Sequence, residues 1–281
     1  MKNKGIIPIN KPEGWTSFDV VNKLKYKLKP LKVGHLGTLD PMATGVLLVT
    51  VGKATKLFDL MQEKKKTYVA TFEFGYLTDT LDKTGQILER TDRIPTVDEI
   101  SQVLPKFIGK ISQIPPKYSA KSINGKRAYE MARQNIDFEL KPKMVEIFDV
   151  KLLSYSNGSL TLEISCGSGT YIRSIGRDIA RELNSLATMT KLIRTKVGNF
   201  SVENCLDIQR IENIEEAILS LDSILTYEEL NVTEEEKNRL LNGQTLNLNK
   251  QDGIYLLFLN NDIIALVKIC DFNAKMHIFL G

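Results

Sequence analysis

The sequence predicts an α+β protein with a small β-rich segment appended at its C-terminus. Three features carry that expectation. Apolar residues at helical spacing are interleaved with short β-branched stretches over most of the chain. No internal repeat or low-complexity tract is present. Near Tyr227 the texture changes to an acidic helix followed by short apolar strands. With 281 residues, 42% apolar and 26% charged, the chain has enough apolar content for a sizeable core and reads as one large domain plus a small one.

Thr16 and Ser17 are candidate caps for a helix whose apolar face is Phe18, Val21, Leu24 and Leu28. The glycine-rich stretch from Gly34 to Gly45 reads as a loop. After it come an apolar run, Val46 to Val51, a short helix near Ala54 to Met61, and a β-rich stretch, Thr67 to Gly75, behind a triple lysine. These suggest a sheet with helices on it. Thr96 with Glu99 is a capping box opening another helix, and Arg127 to Gln134 is a further helical candidate. Met144 to Ser154 and Ser159 to Cys166 read as strands. Gly167 and Gly169 break the pattern, and Ile172, Ile175, Ile179 and Leu183 then mark one face of a helix. In the C-terminal segment, Thr233 to Leu241 reads as a helix, and Ile254 to Leu259, Ile263 to Ile269 and Met276 to Leu280 as strands.

Composition narrows the function classes. No apolar run approaches the roughly 18 uncharged residues of a membrane span, and the N-terminus lacks a signal-peptide core, so a cytoplasmic location is expected. Cys166, Cys205 and Cys270 are far apart, which gives neither metal-ligand spacing nor a secreted disulfide framework. Net charge is only +4, but it is unevenly spread. Residues 1–66 hold thirteen lysines against five acids, about +8, whereas residues 227–281 hold five basic residues against eight acids, about −3. Such a basic lobe is either an ordinary solvated face or the attraction that a phosphate backbone requires.

His35 and His277 lie at opposite ends of the chain, and no His/Cys/carboxylate grouping has metal spacing, so no metal is expected. Asp79 to Gly85 resembles a calcium loop but misplaces an oxygen ligand and the glycine. Gly167-Ser-Gly169-Thr lacks the ending of a nucleotide P-loop, so no nucleotide cofactor is indicated. The remaining candidate is Gly34-His35-Leu-Gly37-Thr38-Leu-Asp40-Pro41-Met-Ala-Thr44-Gly45. Pro41 biases Asp40 toward an extended conformation, which suits a carboxylate held out from a loop. The same residues also suit a plain turn in which the carboxylate bonds nearby amides.

That segment resembles the active-site motif of the TruB family of pseudouridine synthases, Gly-His-x-Gly-x-Leu-Asp-Pro-x-Ala-x-Gly, at every fixed position. Further blocks similar to the family's occur in order: Asn10-Lys11-Pro12-x-Gly14-x-Thr16-Ser17, Lys66-Thr-Tyr68, Thr78-Asp79-Thr80-x-Asp82, Pro115-Pro116-x-Tyr118-Ser119-Ala120, Gly169-Thr-Tyr171-Ile-Arg173 and Leu192-x-Arg194-Thr195. The resemblance spans residues 5 to about 200. Leu36 and Leu81 stand where a small residue is common, and Ser168 where a basic one is usual.

The resemblance implies a catalytic domain, residues 1–226, on the mixed sheet of pseudouridine synthases, with an RNA-binding insertion at about 110–140. Residues 227–281 would form a small PUA-like β-domain. It implies a cofactor-free isomerase that converts uridine 55 of the tRNA T stem-loop and takes the base out of its stack. Asp40 would be the nucleophile, Arg173 the cation that favours its ionised form, and Tyr68 the stacking and proton-transfer residue. Tyr171 and Leu192 would line the uracil pocket, and His35 would fill the space left by the everted nucleotide. Lys11, Lys121 and Arg133 would contact phosphates. Two rival functions share these blocks: a dyskerin-like synthase directed by a guide RNA, and an idle RNA-binding protein. Compact length and the Pro115 to Arg133 block favour a stand-alone enzyme with no guide RNA or protein partner.

Overall fold

The computed structural model describes residues 3–281 apart from 63, 120, 124 and 135, so Ala120 of the Pro115 block lies outside the described residues. In chain order the elements begin with β1 (Gly5–Lys11), α1 (Ser17–Lys27), β2 (Val33–Leu36), β3 (Thr44–Val51), a 3₁₀ turn, α2 (Phe58–Gln62) and β4 (Lys66–Phe74). A hairpin of β5 (Tyr76–Thr78) and β6 (Ile87–Arg90) precedes α3 (Val97–Val103) and β7 (Gly109–Gln113). Next come β8 (Ser122–Ile123), β9 (Lys126–Arg127), α4 (Ala128–Arg133), β10 (Lys143–Ser156), β11 (Ser159–Cys166), α5 (Ile172–Glu182) and β12 (Ala187–Val197). The chain continues through β13 (Phe200–Ser201), β14 (Leu206–Asp207), α6 (Ile214–Ala217), β15 (Glu228–Asn231), α7 (Glu234–Leu241), β16 (Leu246–Asn247), β17 (Gly253–Leu259), β18 (Asp262–Cys270) and β19 (Asn273–Phe279).

The large sheet runs β14-β1-β3-β12-β4-β11-β10-β7, with β2 on β3 and β13 on β12. It is mixed, because β12 lies parallel to β3 and antiparallel to β4, and β14 lies parallel to β1. The central strands read as nearly continuous apolar runs because both of their faces are covered. One cluster lies under α1 and α5 and includes Leu24, Leu47, Val49, Phe72, Ile164, Ile175 and Ile179. α5 packs so closely on β4 that a methyl at Gly176 would overlap the Phe72 ring. Between β7 and β10, which are paired neighbours, the chain leaves the sheet to form the β8-β9 hairpin and α4.

Capping boxes at Thr16, Thr96 and Thr233 start α1, α3 and α7 as expected, each joined by its third-residue acid, Asp19, Glu99 or Glu236. Two expectations need correction. The stretch from Gly34 to Gly45 is not all loop: Gly34 to Leu36 belong to β2, which pairs with β3, and Thr44 and Gly45 open β3 itself. Phe18 is not on the buried face of α1; it is 64% exposed, because the helix turns Ser17, Val20, Val21 and Leu24 inward instead.

The second sheet, β15-β17-β18-β19-β16, has its own apolar cluster around Leu257, Val267 and Ile269. A third cluster joins the two sheets: Ile6, Val46, Leu48 and Leu57 pack with Leu221, Leu225, Leu256, Ile263 and Leu266. Among the described residues, no helix is long and apolar enough to cross a membrane.

Candidate active site

The loop between β2 and β3 projects Asp40 over the sheet. Its root is set by residues that cannot be replaced freely. Gly37 and Gly45 have φ of +74° and +102°, a region that favours glycine, and Gly45 lies so close to the Arg194 backbone that a side chain has no room. Ser17, at the start of α1, accepts from the Leu39 amide at 2.9 Å and ties loop to helix. Ala43 N donates to Asp40 O at 3.0 Å, closing a turn around Pro41.

Arg173 arrives from the other side, in the first turn of α5, and is only 7% exposed. A cation there opposes the helix dipole, and the structure supplies what offsets it. Its guanidinium pairs with Asp40 Oδ1 at 2.9 Å and Asp82 Oδ2 at 3.3 Å, and donates to the carbonyls of Thr80 (2.9 Å) and Tyr118 (3.1 Å). Asp82 is buried and sits in a tight turn, where its Oδ1 accepts from the Thr84 amide (3.0 Å) and the Thr84 hydroxyl (2.6 Å). The preceding Leu81 has φ +63°, which accounts for the usual small residue there and costs about 1–2 kcal/mol for leucine. Tyr118 closes the frame by donating from its hydroxyl to Asp79 Oδ2 at 3.2 Å.

Asp40 keeps 31% of its side chain exposed and faces a cavity of about 570 Å³. Burial raises its pKa above the ordinary aspartate value; Arg173 opposes that shift and Asp82 adds to it. The cavity wall also includes His35, Tyr68, Tyr171, Leu192, Arg194 and Lys66, together with Phe18, Tyr118, Ser119, Tyr129 and the turn from Gly167 to Thr170. Tyr68 is buried, and burial raises the pKa of its phenol, against the pull of Arg194. Tyr171 caps α5, and its backbone is held by Gln113, which accepts from its amide at 2.9 Å and donates to its carbonyl at 3.2 Å. His35 lies half-buried on β2, its Nδ1 buried without a hydrogen-bond partner and its pKa lowered by burial and by Arg194.

Six of the nine residues singled out from the sequence therefore meet at one cavity: Asp40, Tyr68, Arg173, His35, Tyr171 and Leu192. Lys11 does not fit its expected role as a phosphate contact. It is 0% exposed, and its ammonium donates to the carbonyls of Pro12 (2.8 Å), Trp15 (2.5 Å) and Pro41 (3.2 Å), so it braces the Asp40 loop from behind. Burial lowers its pKa to about 8. Lys121 and Arg133 lie in the excursion between β7 and β10. Lys121 is half-buried, and Arg133 is exposed with its guanidinium 5.6 Å from the centre of the Tyr129 ring on the cavity wall.

Two residues quoted in the motif blocks without a role prove central, Asp82 and Arg194. The signal for Arg194 was present in the sequence: it follows Leu192 by two positions on a strand, which puts a cation on the same face as a pocket residue. Asp82 becomes visible only when Arg173 is brought to it.

Comparison with known proteins agrees with this geometry. The family profile "TruB family pseudouridylate synthase (N terminal domain)" matches residues 23–172. A tRNA pseudouridine synthase B from Borreliella afzelii is 40% identical over 98% of this chain and 99% of its own length. One from Clostridium kluyveri is 39% identical over 97% of this chain and 98% of its own. A chain from the crystal structure of the archaeal box H/ACA sRNP Nop10-Cbf5 complex superposes with a TM-score of 0.71 at 21% identity, covering 99% of this chain and 86% of that one. That likeness is one of fold, and it supports the α+β architecture with its mixed sheet. Matched over more than half its length by the profile and end to end by its relatives, the chain belongs to the TruB family of pseudouridylate synthases.

Proposed function

We propose that this chain, a pseudouridine synthase acting on tRNA, isomerises uridine 55 of the T loop, with Asp40 as nucleophile and the target base everted into the cavity. The observation that carries the reading is the buried Arg173 bridging Asp40 and Asp82 at the cavity floor. Detaching uracil from its sugar and rejoining it through carbon needs a carboxylate facing the substrate, a proton handler and a place for the freed ring. Asp40, Tyr68 and the wall of Tyr171 and Leu192 supply these in one space. A uracil ring fits the cavity only when it has left its stack, since Asp40 sits below the rim formed by Phe18, Tyr129 and Ser168.

His35 fills the gap left by the everted nucleotide, and Arg133 and Lys121 meet the T-arm backbone from the excursion over residues 110–140. Residues 227–281 form a PUA-like domain beside a catalytic domain of residues 1–226, as their separate sheets suggest. The enzyme works without a guide RNA.

An unmodified T-arm hairpin incubated with the purified protein and read by carbodiimide labelling tests this. Wild type is expected to form pseudouridine with no guide present, and Asp40→Asn to bind the hairpin equally well but form none. Tight binding without product from wild type, or normal turnover by Asp40→Asn, would refute it.

A further inference from the structure

Arg194 is 1% exposed in the centre of the large sheet, yet among the described residues no carboxylate lies within 4.0 Å of its guanidinium. It donates instead to two carbonyls, Val46 at 2.7 Å and Gly37 at 3.0 Å. Taking a cation out of water costs several kcal/mol, and neutral carbonyls do not cancel its charge. The register of three strands places it: Arg194 pairs with Gly45 on β3 and with Tyr68 on β4, so its side chain shares a face with Tyr68. Lys66, also buried, converges on the same point. A β carbon at Gly37 would lie 3.5 Å from Arg194 Nη1 and 3.7 Å from Lys66 Cε. Both side chains line the cavity, next to Leu192 and Tyr68. The two buried acids of the site, Asp40 and Asp82, are engaged by Arg173 on the opposite side.

A positive floor without a resident counter-ion is suited to an anion that exists only during the reaction. We propose that the Arg194 guanidinium, seconded by the Lys66 ammonium, stabilises the negative charge that develops on the uracil ring as its bond to the sugar breaks. When the N1–C1′ bond opens, its electron pair stays on N1 and the ring becomes a uracil anion. C1′, short of that pair, bonds to the Asp40 carboxylate. The ring then turns, C5 gives a pair to C1′, the carboxylate leaves with its own pair, and the C5 proton passes to N1. Charge balances at each stage, and the ring is anionic only between the first and last bonds to sugar. Fixed donors aimed at charge that appears only in transit are the arrangement that lowers a barrier most. The proposal rests on the isomerase reading above.

The test is a leaving-group contrast. Fluorine at C5 withdraws electrons, so a 5-fluorouracil ring departs with less help. Single-turnover rates are measured for T-arm hairpins carrying uridine or 5-fluorouridine at the target, following loss of the intact nucleotide by nuclease digestion and mass spectrometry. Arg194→Gln is expected to slow the uridine hairpin about 100-fold or more and the 5-fluorouridine hairpin at least tenfold less, with RNA affinity within about threefold of wild type. Arg194→Lys, which keeps the charge, should recover most of the uridine rate. Lys66→Gln, measured in parallel and leaving the Arg194 contacts intact, should cost about tenfold on uridine and under threefold on 5-fluorouridine. That second variant decides the matter should Arg194→Gln fail to fold. Equal losses on the two hairpins in a folded variant, or a change in affinity alone, would overturn the proposal while wild-type turnover leaves the isomerase reading standing. Absence of pseudouridine from wild type would remove that reading instead, and this inference with it.

Discussion

Replacing Arg173 with methionine removes the one cation that holds Asp40 and Asp82 together. Breaking a buried ion pair by deleting one partner costs about 3–5 kcal/mol, because the remaining charge is stranded. Asp40 is partly open to water and recovers some solvation, whereas the Asp82 side chain is 5% exposed and recovers little. The carbonyls of Thr80 and Tyr118 also lose a donor. A total of about 4 kcal/mol follows, or a melting temperature lower by roughly 8–15 °C for a chain of this size. The second effect is on Asp40 itself. Arg173 is what restrains its burial-raised pKa, and Asp82 pushes the same way as burial, so the acid limb of the pH–rate profile moves to higher pH. Thermal unfolding by circular dichroism and single-turnover rates on the T-arm hairpin between pH 5 and 9 measure both. The double variant Arg173→Met/Asp82→Asn removes the stranded charge and should regain about half the lost stability without regaining the rate. A single variant melting within about 2 °C of wild type, with its acid limb unmoved, would refute the electrostatic account of this site.

Asp40→Asn is expected to melt no lower than wild type at pH 7 despite losing activity. Folding raises the Asp40 pKa, so the folded state holds its proton longer and stability falls as pH rises through that window; asparagine escapes the loss. A clearly lower melting point would contradict the burial effect. Lys11 carries the opposite sign: its folded pKa of about 8 lies below the ordinary lysine value, so the unfolded state binds the extra proton and unfolding free energy should rise by about 1–2 kcal/mol from pH 8 to 10. Urea titrations should show that rise in wild type and not in Lys11→Met. Gly176→Ala gains about 1 kcal/mol in helix propensity but drives a methyl into Phe72, so a net loss of about 1–3 kcal/mol is expected in urea denaturation. Any gain in stability would show that α5 can lift off β4 at no cost.

How far the sequence reaches depends on whether the causes are local. The capping boxes at Thr16, Thr96 and Thr233 are complete within four residues, so the starts of α1, α3 and α7 were legible. β2 was not, because glycine at Gly34 and Gly37 argues for a loop, and only pairing with β3 reveals a strand. Phe18 was misread because helical spacing gives a period and not a phase: shifting the buried stripe to Val20, Val21 and Leu24 satisfies the same pattern. Asp40 and Arg173, 133 positions apart, were joined by family resemblance; no spacing rule links them. Lys11 was assigned to solvent because lysine usually belongs there. The carbonyls that hold it come partly from its own turn and partly from Pro41, thirty residues on.

The apolar cluster shared by the two sheets has a mechanical meaning. Ile6, Val46 and Leu48 belong to strands that frame the Asp40 loop, and they are covered by Leu256, Ile263 and Leu266 of the acidic C-terminal segment. Loosening that segment would therefore bare the underside of the very strands that aim the carboxylate. A folding defect in the last fifty residues would be felt at the cavity, however far those residues stay from the RNA.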